Sequence, residues 1–286
     1  MSEALKLVNV SKHYRDFSLN RINFSLPTGC IMGFIGENGA GKTTTIKLIL
    51  DLIKRDEGSI FVLGRDNLTD LKSVKENIGV VMEDSFFPEN LTAANINRIL
   101  KGIYRTWNEK SFDSYLKQLS IPANKPIKEY SKGMKMKLSI AAALSHDSKL
   151  LILDEPTNGL DPVIRDEILD VFLEFIQDES HSIFISSHII SDLEKICDYI
   201  TFIHKGSIIF SESKDDLLEK YGVLKCPEKD FSGIDSDAVI GYRKNSFGIE
   251  ALVLRNRIRG NFVIDRAGIE DIMLFYTVRS KGKQMS

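Results

Sequence analysis

The chain has 286 residues, 43% of them hydrophobic and 27% charged, and a net charge of −2 at neutral pH. That is room for one large domain and a small one of ordinary globular composition, with no basic footprint for DNA, RNA or an anionic membrane surface. No run approaches the ~18 consecutive apolar residues of a membrane span, Met1-Ser2-Glu3 lacks a signal peptide's features, and Cys30, Cys197 and Cys226 have no metal or redox spacing, so a reducing, cytosolic setting is expected.

In chain order, residues 5–10 and 17–26 alternate like strands, the second ending at Pro27-Thr28-Gly29, and predict an antiparallel β layer. The short apolar run Cys30-Ile31-Met32-Gly33-Phe34-Ile35 predicts a buried parallel strand. It feeds Gly36-Glu37-Asn38-Gly39-Ala40-Gly41-Lys42-Thr43, which fits the phosphate-binding pattern G-x-x-x-x-G-K-[ST] residue for residue. Ile46, Ile49, Leu50 and Ile53 then follow at helical spacing. The glycines let backbone N–H groups turn inward as an anion nest at a helix N-terminus. Lys42 is placed to reach β- and γ-phosphates and Thr43 to offer its hydroxyl to Mg²⁺, so the motif predicts a nucleoside triphosphate site.

Residues 58–63 and 78–82 read as further strands. Between residues 88 and 146 the pattern is helical throughout, over 93–103, 110–119 and 135–144, an insertion unusual inside an α/β chain. Strands return at 150–153, 182–186 and 199–204, alternating with helices at 163–177 and 189–196, which predicts a parallel sheet covered on both faces. Past Tyr221-Gly222 there are short β-like runs at 249–254 and 261–264, then an amphipathic helix at 268–277 and a basic, frayed tail from Arg279. The expected fold class is α/β with a small C-terminal α+β appendage: residues 1–220 form the main domain, with a helical subdomain at about 88–146, and residues 221–286 the accessory one.

Leu150-Leu151-Ile152-Leu153 ends in Asp154-Glu155, and ligands gather at strand ends of a parallel sheet. Asp154 is placed to hold Mg²⁺ and Glu155 to polarise the water that attacks the γ-phosphate. His188, after Ser186-Ser187, and Glu83 leave the same edge; His188 is a γ-phosphate contact or a structural histidine.

With these segments in view the chain resembles the ATP-binding cassette (ABC) ATPases over about residues 3–220, most specifically in Asp154-Glu155-Pro156-Thr157 followed by Gly159-Leu160-Asp161. The resemblance implies a P-loop NTPase fold with a RecA-like parallel core, and it places Gly36, Asn38, Gly39, Ala40, Gly41, Lys42, Thr43 and Thr44 around ATP. The family's signature Leu-Ser-Gly-Gly-Gln aligns with Tyr130-Ser131-Lys132-Gly133-Met134, so Ser131, Lys132 and Gly133 would face a nucleotide from a helix N-terminus. Lys132 and Met134 depart from the pattern; Lys132 either adds a charge to the opposite nucleotide's phosphates or stays solvated, and Lys135 and Lys137 read as a solvated helix face. Glu83 stands where the family carries Gln; it can contact Mg²⁺ but, when ionised, cannot donate to the attacking water. Tyr14 matches the family's adenine-stacking aromatic.

The resemblance further implies two copies closing head-to-tail over two ATP with Mg²⁺, as a homo- or heterodimer, and driving a separate integral-membrane permease from the inner face of the cell membrane. Phe86-Phe87 before Pro88 belong either to its docking cleft or to the core. The single cassette and its short appendage look most like cassettes of bacitracin-resistance and phenol-soluble-modulin exporters. The alternative is a soluble ABC ATPase acting on ribosomes or DNA, which usually has two cassettes or a basic surface.

Overall fold

The computed structural model describes residues 2–69, 71–83 and 87–282, and the chain divides into two compact units, Met1–Ser211 and Glu212–Ser286. The first opens with β1 (Glu3–His13) and β2 (Ser18–Pro27), antiparallel with Leu7 opposite Phe24. Alternation turns Leu5 and Leu7 of β1 and Ile22, Phe24 and Leu26 of β2 into the core. The register slips between Leu7 and Val10, where Asn9 takes a left-handed φ of 49°, a conformation asparagine tolerates better than most residues. Next come β3 (Ile31–Ile35) and α1 (Lys42–Ile49). β4 (Glu57–Val62) and β5 (Arg65–Asp66) then complete an antiparallel sheet of order β2-β1-β4-β5.

α2 (Leu71–Glu76) leads into β6 (Ile78–Val81), and the insertion follows as α3 (Ala93–Lys101), α4 (Glu109–Gln118), a 3-10 turn at Ile127–Glu129 and α5 (Lys132–Leu144). Each helix has a polar N-cap: Thr92 in a reciprocal capping box with Asn95, Asn108, and Ser131. Helix α5 begins three residues before the expected Lys135, because the Ser131 hydroxyl accepts the Met134 N–H and closes the first turn. The solvated face expected for Lys135 and Lys137 is corrected as well. Lys137 is buried, with Nζ 2.6 Å from a Glu167 carboxylate oxygen and donating to the Leu119 carbonyl, while Lys135 reaches Glu89 at 2.9 Å. Helical periodicity identified the element; only packing against its neighbours decides which lysine is buried.

The core is completed by β7 (Leu150–Asp154), α6 (Pro162–Phe175), β8 (Ser182–Ser187), α7 (Ile190–Ile196), β9 (Tyr199–His204) and β10 (Ser207–Ser213). The six strands run in the order β10-β9-β3-β8-β7-β6, with β3 parallel to β8 and β9, and β7 parallel to β8 and β6. Strands covered on both faces need continuous apolar runs, and every residue of β3, β7 and β8 is buried. Phe24 stacks on Phe184 at 5.5 Å and both meet Phe34, joining the antiparallel layer to the parallel one. No helix among the described residues is long and apolar enough to cross a membrane.

The second unit contains α8 (Lys214–Lys220), β11 (Tyr221–Cys226), α9 (Glu228–Phe231), β12 (Val239–Asn245), β13 (Gly248–Leu254), β14 (Ile264–Arg266) and α10 (Ile269–Gly282). Its antiparallel sheet has the order β12-β13-β11-β14, with Leu224, Ile249, Ala251 and Val253 in its own core. The strand expected at 261–264 starts at Ile264, because the bend at Gly260 (φ 106°) extends through Asn261. α10 runs to Gly282, five residues past the expected 277; Lys283 of the tail lies outside the described residues.

Candidate nucleotide site

The geometry begins with the glycines between β3 and α1. Gly39 and Gly41 take φ of 80° and 116°, which a side chain would strain, and a Cβ at Gly36 would lie 2.5 Å from the Ile203 carbonyl oxygen. Gly41 is the N-cap of α1, and the positive end of that helix, with Lys42, Thr43 and Thr44, lines one cavity of about 830 Å³. Parallel register brings the strand ends together beside it: Ile35 pairs with Ser187, and Ser186 with Asp154.

Lys42 is buried; its Nζ donates to the Gly36 carbonyl at 2.8 Å and lies 3.2 Å from Glu155 Oε1. The other Glu155 oxygen accepts from the His188 backbone N–H at 3.2 Å and from its Nδ1 at 2.7 Å. Glu155 itself has a left-handed φ of 51°, held there by its N–H donating to the Ser186 carbonyl at 3.1 Å. Asp154 accepts from Thr43 Oγ1 at 2.9 Å and from Ser186 Oγ at 2.6 Å. Burial pushes the Asp154 carboxyl above its ordinary range, the two hydroxyl bonds oppose this, and the charges of Glu155 and Glu83 add to the rise. Glu83 accepts from Asn158 Nδ2 at 2.9 Å, which ties the end of β6 to the turn before α6.

The cavity is lined by Asn38, Gly39, Gly41, Lys42, Thr43, Thr44, Glu83, Glu155 and His188, with Asn158 beside them. Gly36, Ala40 and Asp154 contribute from behind through the loop and the Thr43 contact. Besides those three, Tyr14, Ser131, Lys132 and Gly133 are predicted residues that are not among its lining. Tyr14 is 47% exposed in the β1–β2 turn with the Lys12 ammonium 5.6 Å from its ring centre, and Phe17 and Asp16 of that turn line the cavity instead. The turn closes by a Tyr14 N–H to Phe17 carbonyl bond, and the one sequence signal for Phe17 was a second aromatic within it. Ser131 and Lys132 are exposed at the start of α5, with Gly133 packed against Ile164; Lys132 Nζ lies 3.0 Å from where a Gly159 Cβ would stand. Phe86 lies outside the described residues, while Phe87 lines a separate, mainly apolar hollow of about 240 Å³ with Val80, Met82, Leu100 and Tyr104.

A phosphate-cradling loop at the end of the central parallel strand β3, with carboxylates from β7 on the far side of β8, defines a P-loop nucleotide hydrolase. Residues 19–158 match the ABC transporter family. The chain is 38% identical over 215 residues to the bacitracin transport ATP-binding protein BcrA of Bacillus licheniformis, covering 73% of this chain and 69% of that protein. It is 36% identical over 215 residues to the lantibiotic transport ATP-binding protein SrtF of Streptococcus pyogenes, covering 74% of this chain and 91% of that one. A solved ATP-binding subunit of an ABC transporter superposes with a TM-score of 0.69 at 26% identity, over 82% of this chain and 96% of that chain. The chain belongs to the ABC transporter family and is one of its ATP-binding, ATP-hydrolysing cassettes.

Proposed function

We propose that this cassette powers export of peptide antimicrobials or related compounds through a separate membrane permease, closing with a second cassette over two ATP molecules. The observation that carries the paired mechanism is the split site. Ser131 and Lys132 stand exposed at the start of α5, with Gly133 buried behind them, outside their own chain's cavity, where the two exposed residues can meet a nucleotide held by another copy. The export reading is supported by relatives named for bacitracin and lantibiotic transport.

In this reading Lys42 leaves Glu155 for the β- and γ-phosphates, the loop N–H groups from Gly36 to Thr44 hold the phosphate oxygens, and His188 contacts the γ-phosphate. Glu155 then serves as general base, kept oriented by its His188 contact. Tyr14 stacks on adenine, with Phe17 of the same turn lining the cavity. The hydroxyl of Thr43 and the carboxylate of Asp154, 2.9 Å apart, fit a small hard cation that takes few protein oxygens, and Glu83 at the cavity wall would offer a further oxygen. Mg²⁺ bound there would supply neutralisation of the phosphate charge. The apolar hollow at Phe87, between β6 and the helical insertion, is the proposed seat for the permease, which would hold the cassette at the inner face of the membrane.

A tagged pull-down from detergent-solubilised host membranes tests the reading. A polytopic membrane protein in stoichiometric yield is the expected result. Recovery of ribosomal proteins or DNA instead would leave the ATPase chemistry standing and overturn the transport role in favour of a soluble ABC ATPase.

A further inference from the structure

One buried group beside the phosphate loop has no part in the chemistry above. His204, the last residue of β9, is 8% exposed, and neither ring nitrogen has a hydrogen-bond partner among the described residues. A polar group buried without a partner is destabilising, so such groups are rare and call for an explanation. The nearest carboxylate is Glu37, with Oε2 3.7 Å from Nδ1. About 0.8 Å of approach separates the two from an ordinary N–H···O bond.

Glu37 is the second residue of the phosphate loop and lines the nucleotide cavity. A carboxylate there repels any polyphosphate that enters, unless a donor turns its charge aside. The chain around His204 is already the floor of that loop. Gly36 passes too close to the Ile203 carbonyl to carry a side chain, and the Gly206 N–H donates to the Ala40 carbonyl at 3.0 Å. Lys205 and Gly206 both take positive φ in the tight turn after β9, and a Cβ on Gly206 would fall 1.8 Å from the Ser18 carbonyl oxygen. The turn therefore has one conformation, and it fixes where the imidazole stands.

We propose that His204 is a positioning residue for the phosphate loop: its ring N–H holds the Glu37 carboxylate off the path of the polyphosphate and so sets the affinity for ATP. This concerns the cassette's ATPase activity alone and stands whether or not the exporter reading does.

Steady-state ATP hydrolysis and equilibrium binding of a fluorescent ATP analogue test it. His204→Phe keeps the ring volume and removes the donor; KM for ATP is expected to rise about three- to tenfold, the size of one partly buried charged contact, with kcat within about twofold. His204→Gln, whose amide can still donate to Glu37, is expected to restore most of the affinity. In a Glu37→Gln background, His204→Phe is expected to leave KM unmoved, because the charge it governs is gone. An unchanged KM in His204→Phe, or the same rise with and without the Glu37 charge, would overturn the proposal and leave His204 as packing. If His204→Phe does not fold, His204→Leu is measured in the same two backgrounds.

Discussion

Asp154 shows how a binding site opposes stability. Its folded pKa is raised, chiefly by burial, so the folded state holds the proton more firmly than the unfolded chain does. The stability held by the protonated form is therefore lost as pH rises from the unfolded value through the folded one. Asp154→Asn is expected to raise the melting temperature of the nucleotide-free protein at pH 7.5 and to give no gain below about pH 3.5, where the unfolded carboxyl is also protonated; a lower melting temperature at pH 7.5 would contradict this. Glu155, at φ 51°, makes a second test. Glu155→Ala and Glu155→Gly lose the same carboxylate, yet only the second relieves the left-handed backbone. The glycine variant should be about 1 kcal/mol the more stable by denaturant unfolding. At this scale the phosphate loop was legible because its residues are consecutive and their chemistry depends on that spacing. Phe17 and Asp16 were not: they reach the cavity through the β1–β2 turn, and no local pattern marks either position.

Among the elements, periodicity located the helices of the insertion and the buried strands, since both follow from which residues must face inward. Boundaries failed where a polar side chain, not an apolar one, decides them, as when the Ser131 cap starts α5 at Lys132. Pairing partners were likewise invisible, and Lys137 finding Glu167 on α6 is the clear case. In the second unit, Gly241 of β12 passes under α10 so closely that a Cβ would sit 2.5 Å from the Phe275 carbonyl oxygen. Gly241→Ala is expected to destabilise this unit by about 1–3 kcal/mol through that backbone clash. Hydrogen exchange on β12 and β13 would report it; unaltered protection would mean that α10 shifts freely.

For the whole molecule, the parallel register of β3, β8 and β7 does the assembling, because it sets three strand ends side by side and with them the loop, Ser186 and the two carboxylates. The complementary half of the proposed site is carried at the start of α5. Glu155→Gln, which keeps the shape and removes the base, is expected to arrest the closed pair. With ATP and Mg²⁺ the protein should elute at about twice its 32.3 kDa by light scattering, and at the single-chain mass with ADP. A single-chain mass under both conditions would refute head-to-tail closure.

The 3.2 Å contact between Lys42 and Glu155 sets two buried opposite charges against each other. In the proposed mechanism these are the cation that meets phosphate and the anion that activates water, and here each holds the other. On that proposal a γ-phosphate that captures the lysine releases one glutamate oxygen while His188 keeps the other, so that substrate arrival is also the arming step.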